Sequence, residues 1–92
     1  MTVGKAEKRL KILYFAWVRE KTGRASEEVD VPVGTATVAD LVTWLKTRGP
    51  EFELAFARPE AIRAAIDHVH AKPTAEIANA REIAFFPPVT GG

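Results

Sequence analysis

The sequence predicts an α+β fold, a short mixed sheet crossed by one main helix, and three observations carry that expectation. Residues 9–17 alternate with period two: Leu10, Ile12, Tyr14 and Ala16 point one way, Lys11, Leu13, Phe15 and Trp17 the other. Behind Thr37, the residues Val38, Leu41, Val42 and Leu45 fall at i, i+3, i+4 and i+7, the stripe of a helix with one buried face. Residues 82–86 form a second strand-like run, Glu-Ile-Ala-Phe-Phe, stopped by Pro87 and Pro88.

The elements follow in order. Residues 1–8 are polar and charged, with no apolar segment behind them, and read as a disordered leader ahead of a domain over 9–88. Residues 9–17 form the first strand, with the Leu10 set as core. Residues 19–23 then read as a helical turn closed by Gly23. Residues 27–31 form a second strand ended by Pro32, and the two strands should make a hairpin. Thr37 is placed as an N-cap with Asp40 three residues on, so the crossing helix should span 38–48 before Gly49-Pro50 ends it. Pro50 could open a further short helical segment through Phe52, Leu54, Ala55 and Phe56. Residues 61–70 read as a third strand with Ile62, Ala64, Ile66 and His68 on one face, and residues 82–86 as the last. The expected core is Leu10, Ile12, Tyr14, Leu41, Val42, Leu45, Ile66, Ile83 and Phe85. A ββαββ order with its first and last strands side by side is the β-grasp pattern.

Composition narrows the function. Ninety-two residues suffice for one small core and hardly for a deep catalytic cavity as well. A net charge of +1 makes no electrostatic case for nucleic acid, and no apolar run is long enough for a membrane span. The polar start points to a cytoplasmic protein. Cysteine is absent, which excludes disulfides, thiolate metal sites and a cysteine nucleophile together.

The most informative segment is the last one, Pro87-Pro88-Val89-Thr90-Gly91-Gly92. Glycine is about 7% of ordinary sequence, so two final glycines arise by chance only about 0.5% of the time. Four extended residues beyond Pro88 reach roughly 13 Å. Gly91 and Gly92, lacking Cβ atoms, fit a channel that any other residue would block. In a one-layer packing, Leu13, Phe15, Trp17 and Phe86 lie on the sheet face that the helix leaves open. Such a cluster marks a partner surface, unless the loop of residues 50–59 folds over it.

Lys11-Ile12-Leu13-Tyr14-Phe15-Ala16 followed by Val18-Arg19-Glu20, with Ala64-Ala65-Ile66 and the terminal Glu82-Ile83-Ala84-Phe85-Phe86-Pro87-Pro88-Val89-Thr90-Gly91-Gly92, resembles the small, sulfur-carrying subunit of molybdopterin synthase, a ubiquitin-like β-grasp family. The likeness runs from Arg9 onward. Two departures are Asn79-Ala80, where members often have Asp-Gly, and the longer leader. The resemblance implies that a ubiquitin-activating-type adenylyltransferase activates the Gly92 carboxylate with ATP and that the terminus becomes a thiocarboxylate. The loaded tail then donates sulfur to cyclic pyranopterin monophosphate inside the large synthase subunit, forming the molybdopterin dithiolene. It implies a heterotetramer of two small and two large subunits and no permanently bound cofactor. Gly92 would bear the sulfur and Gly91 would thread the channel. Phe15, Phe86, Pro87, Pro88, Val89 and Thr90 would meet the partner.

Other residues carry less. His68 and His70 would share a strand face, but no third metal ligand is evident and a solvated or packed pair is the better reading. Arg19 and Lys21 are surface charges, and the Lys5, Lys8, Arg9 and Lys11 cluster serves solubility. Neighbouring functions that use the same tail are sulfur carriage for thiamine or tRNA thiolation, and conjugation as a ubiquitin-like modifier. A passive interaction module is the alternative of another class.

Overall fold

The computed structural model describes residues 8–88, so the expectations for residues 1–7 and for Val89, Thr90, Gly91 and Gly92 lie outside the described residues. The chain runs β1 (Lys8–Tyr14), α1 (Ala16–Thr22), β2 (Ser26–Val31), α2 (Val38–Lys46), α3 (Pro50–Ala55), a 3-10 turn (Pro59–Ala61), β3 (Arg63–Ile66), β4 (Val69–Ala71) and β5 (Glu82–Phe86). The five strands form one mixed sheet in the order β2-β1-β5-β3-β4. Here β1 and β5 pair in parallel at the centre, and the remaining pairs are antiparallel. The α+β β-grasp expected from the element order is the observed fold.

One face of the sheet and the helices enclose a single core. Leu10, Ile12 and Tyr14 of β1, Val29 and Val31 of β2, Ile83 and Phe85 of β5, and Ala64 of β3 meet Val38, Leu41 and Leu45 of α2. Helix α2 begins as its sequence dictates. The Thr37 hydroxyl accepts from the Asp40 amide at 3.1 Å, and the Asp40 carboxylate accepts from the Thr37 amide at 3.2 Å, a complete capping box. Val42 and Ile66 are only partly buried, contrary to the expected core list. Val42 borders a cavity of about 250 Å³ between α2 and the β3 side of the sheet, with Ile62, Phe56 and Phe85 also in its wall.

Two expected strands are shorter than their alternation suggested. Strand β1 stops at Tyr14, because Ala16 takes a left-handed φ of 54° and turns the chain into α1. The turn carries Val18 to full burial and packs Trp17 against the core, so Trp17 is not on the open face and Ala16 is exposed rather than buried. Gly23, at φ 78°, ends α1 and donates its amide to the Arg19 carbonyl at 2.9 Å. The expected third strand over 61–70 is instead a hairpin. Ile66 pairs with Val69 around the two-residue turn Asp67-His68, whose φ values of 48° and 75° are those of a type I′ turn. The Asp67 carboxylate also accepts the amides of Arg81 and Glu82, at 3.1 and 2.9 Å, which fastens the hairpin to the start of β5.

The residue 50–59 segment does not cover the open face. Phe52, Ala55 and Phe56 enter the core from the helix side, where Phe56 meets Phe85 edge-to-face at 5.1 Å and Tyr14 at 6.5 Å. No helix among the described residues is long and apolar enough to cross a membrane.

Candidate functional site

The candidate site is the open face of the sheet where β5 ends and the chain passes into Pro87-Pro88. Phe15 lies one residue beyond β1 but keeps an extended backbone, and its amide donates to the Phe85 carbonyl at 3.0 Å. Since Tyr14 pairs with Phe85, Phe15 sits level with Phe86. Alternation in both strands turns these two rings outward, opposite the buried Tyr14 and Phe85. Phe15 is 48% exposed, a large apolar side chain left at the surface of a folded domain. Phe86 is half-buried and meets the ring of His70 edge-to-face at 5.5 Å. Pro87 and Pro88 are half-buried and belong to no element.

The register maps the rest of the face. Leu13, Ala84, Ala65 and His70 form one row across β1, β5, β3 and β4. In the next row Phe86 pairs with Arg63, and exposed Lys72 follows Ala71, the partner of Ala64, directly beyond the end of β4. On the other side of the Leu13 row, Lys11 lies between Glu28 and Glu82, and Arg9 pairs with Asp30.

A charged network on the opposite side holds the end of β1 that presents Phe15. The Tyr14 hydroxyl donates to Glu27 Oε2 at 2.7 Å. Arg48 donates to both Glu27 oxygens, at 2.7 and 3.0 Å, and Arg24 adds a third bond at 3.2 Å. Both guanidinium groups lie over the Phe52 ring, 4.7 and 5.1 Å from its centroid. Burial alone would raise the Glu27 carboxyl. The hydrogen bonds from Arg48 and Tyr14 outweigh it and hold Glu27 below the usual carboxylate range. Burial, reinforced by the Glu27 carboxylate, pushes the Tyr14 hydroxyl well above its ordinary value, so it stays a donor.

Of the residues expected at the site, the structure brings Phe15 and Phe86 together and sets Pro87 and Pro88 directly after them. Val89, Thr90, Gly91 and Gly92 lie outside the described residues. His68 and His70 do not share a strand face: the type I′ turn intervenes, and His68 stands 3.8 Å from Glu82 while His70 packs on Phe86. Among the described residues no His, Asp and Glu cluster could hold a metal ion. Arg19 and Lys21 are exposed in the last turn of α1. Sequence reasoning missed Arg63 and His70 as neighbours of Phe86, because the turn that forms the hairpin was hidden in an apparently continuous strand.

Three solved structures are instructive for comparison. The SAMP1 structure from Haloferax volcanii is 28% identical with a TM-score of 0.69, covering 92% of this chain and all of that one. A second, of the H. volcanii small archaeal modifier protein 1, is 29% identical with a TM-score of 0.70, covering 88% and 98%. The putative molybdopterin converting factor, subunit 1, from Pyrococcus furiosus shares the fold at 24% identity and a TM-score of 0.67, covering 88% and 98%. No curated protein matches. The ThiS family matches over residues 12–92, which takes in the site and the terminal glycines, and the chain therefore belongs to the ThiS family, as a ubiquitin-like β-grasp protein of the sulfur-carrier and modifier type.

Proposed function

We propose that this chain is the sulfur-carrying small subunit of a cytoplasmic molybdopterin synthase, with Gly92 as the attachment point. The observation that carries this reading is the run Phe85-Phe86-Pro87-Pro88-Val89-Thr90-Gly91-Gly92, whose first residues are anchored in the central strand beside an exposed aromatic surface. A carboxylate with a pKa of about 3.5 is ionised at neutral pH and is a poor electrophile. Activation by an adenylyltransferase joins it to the α-phosphate of ATP and releases pyrophosphate. Sulfur then displaces AMP, and the thiocarboxylate carries one sulfur atom. A cysteine-free chain suits this role, because the cargo rides on the backbone terminus and no side-chain thiol competes. Phe15 and Phe86 dock the large subunit while Pro87 to Thr90 span the distance to its active site and Gly91 threads the channel. A dithiolene holds two sulfurs, so two loaded tails serve each pterin.

Intact-mass spectrometry after incubation with the activating enzyme, ATP and a sulfur donor tests the proposal. The chain gains the oxygen-to-sulfur mass difference, and the loaded form converts cyclic pyranopterin monophosphate once the large subunit is added. Deleting Gly92 withdraws the carboxylate by roughly 3.3 Å. Misplacement by even 1 Å costs on the order of a hundredfold in rate, so the deletion should abolish conversion while the thermal melt is unchanged. Conversion by the deletion as fast as by the full chain would discard the carrier reading.

A second reading is favoured by the two small archaeal modifier structures at 28% and 29% identity. In it the same activated terminus forms an isopeptide bond with lysines of other proteins, or serves another thiolation pathway. Gly92-linked conjugates in place of pterin conversion would decide for it.

A further inference from the structure

The charges on the open face are arranged unevenly, and the unevenness deepens the small-subunit reading, on which this inference rests. We propose that Arg63 and Lys72 select the partner: the large subunit that takes Phe15 and Phe86 into an apolar pocket presents carboxylates opposite these two side chains.

Away from the tail, the face neutralises its own charge. Arg9 is bonded to Glu28 and Asp30 at 3.2 and 3.1 Å, and Lys11 stands between Glu28 and Glu82 in the register. At the tail end the row runs Phe15, Phe86, Arg63 with no acid in it, and Lys72 follows directly after the end of β4, where Ala71 pairs with Ala64 beside Arg63. Among the described residues no carboxylate pairs with Arg63 or Lys72. Arg63 makes only a long bond to the Glu60 carbonyl, at 3.5 Å, and the Glu60 carboxylate is bonded to Arg58 instead. Two cations thus gather at one end of the β3–β4 hairpin, Arg63 as the first residue of β3 and Lys72 directly after the last residue of β4. Cations without acids beside an exposed aromatic pair are the mark of a surface shaped for something outside the chain. The ring of His70 on Phe86 extends the same rim with a further nitrogen-bearing group. A partner with acidic groups at these positions gains two ion pairs at the border of an apolar contact, and is steered to the face before the rings touch. A partner with basic groups there is rejected, which is selection by repulsion.

Calorimetry with the large synthase subunit at low and high salt tests this with two double variants, Arg63→Glu with Lys72→Glu and Arg63→Gln with Lys72→Gln, and with Phe86→Ala as a control. Charge reversal should weaken binding on the order of a hundredfold at low salt. Binding of the unaltered chain should fall with added salt, and the neutral variant should lose most of that dependence. The neutral double variant removes two charges and breaks no ion pair of the described residues, so its thermal melt should be no lower than that of the unaltered chain. If charge reversal leaves binding intact while Phe86→Ala weakens it, the selecting rim is refuted and the docking face stands. If Phe86→Ala also binds normally, the face itself is misplaced and the inference falls with it. If the unaltered chain does not bind the large subunit at any salt, the small-subunit reading fails and this inference with it.

Discussion

Glu27 shows how a single side chain can organise one end of this small domain. Its carboxylate, only 13% exposed, receives hydrogen bonds from Tyr14, Arg24 and Arg48, which lie in β1, in the turn before β2 and just beyond α2. Replacing it with Gln removes the charge that two arginines share, and should cost about 2 kcal/mol in urea unfolding, in line with hydrogen bonds to charged groups. The pH dependence has a definite sign. The folded-state pKa lies below the ordinary 4.5, so the stabilisation is fully present above about pH 4.5 and is lost as pH falls through the lower folded value. The stability gap between the unaltered chain and Glu27→Gln should therefore narrow on acidification; a gap that is constant from neutral pH to below pH 3 would show that charge is not what Glu27 contributes. No periodicity announced this network, because Tyr14 and Arg48 lie 13 and 21 residues from Glu27 in sequence.

Elements whose signals are local were legible. Thr37 and Asp40 predicted the start of α2, and the capping box is complete, so Thr37→Ala should lower stability by about 1 kcal/mol in a thermal or urea melt. No change would mean that α2 is held by packing alone. Gly49-Pro50 marked the break before α3, and Phe52 and Phe56 then supply core that the sequence suggested only as a possible helical segment. Where reading failed, an alternation continued past the point at which the backbone turns. Phe15, Ala16 and Trp17 extend the pattern of β1, yet the demand to bury Val18 and pack Trp17 outweighs the strain of a left-handed alanine. Asp67 and His68 are likewise poor advertisements for a type I′ turn beside Asn-Gly, and the turn is fixed by the Asp67 contacts to residues 81 and 82, invisible in a local window. The consequence reached the site. Phe15 and Phe86 could be placed from the sequence, whereas Arg63 and His70 are seen beside Phe86 only once the strands of that hairpin are in place.

At the scale of the molecule, β5 is the keystone: it lies between β1 and β3 and bonds to both, although it comes last in the chain. A chain ended after residue 81 loses Ile83 and Phe85 from the centre of the core, and should show no cooperative thermal transition by circular dichroism, where the full chain shows one. A sharp melt in that truncation would mean that the remaining strands close without β5. The same topology sets the order of events during synthesis. A ribosome adds about 5–20 residues each second, and until residue 86 is outside the exit tunnel β1 and β3 have no common neighbour to pair with. Phe15 gains its place beside Phe86 in that final step, so an interrupted nascent chain lacks the closed sheet and the paired aromatic surface together. A copy stopped before β5 therefore never holds the two rings side by side, and the exposed aromatic surface belongs to the finished sheet alone.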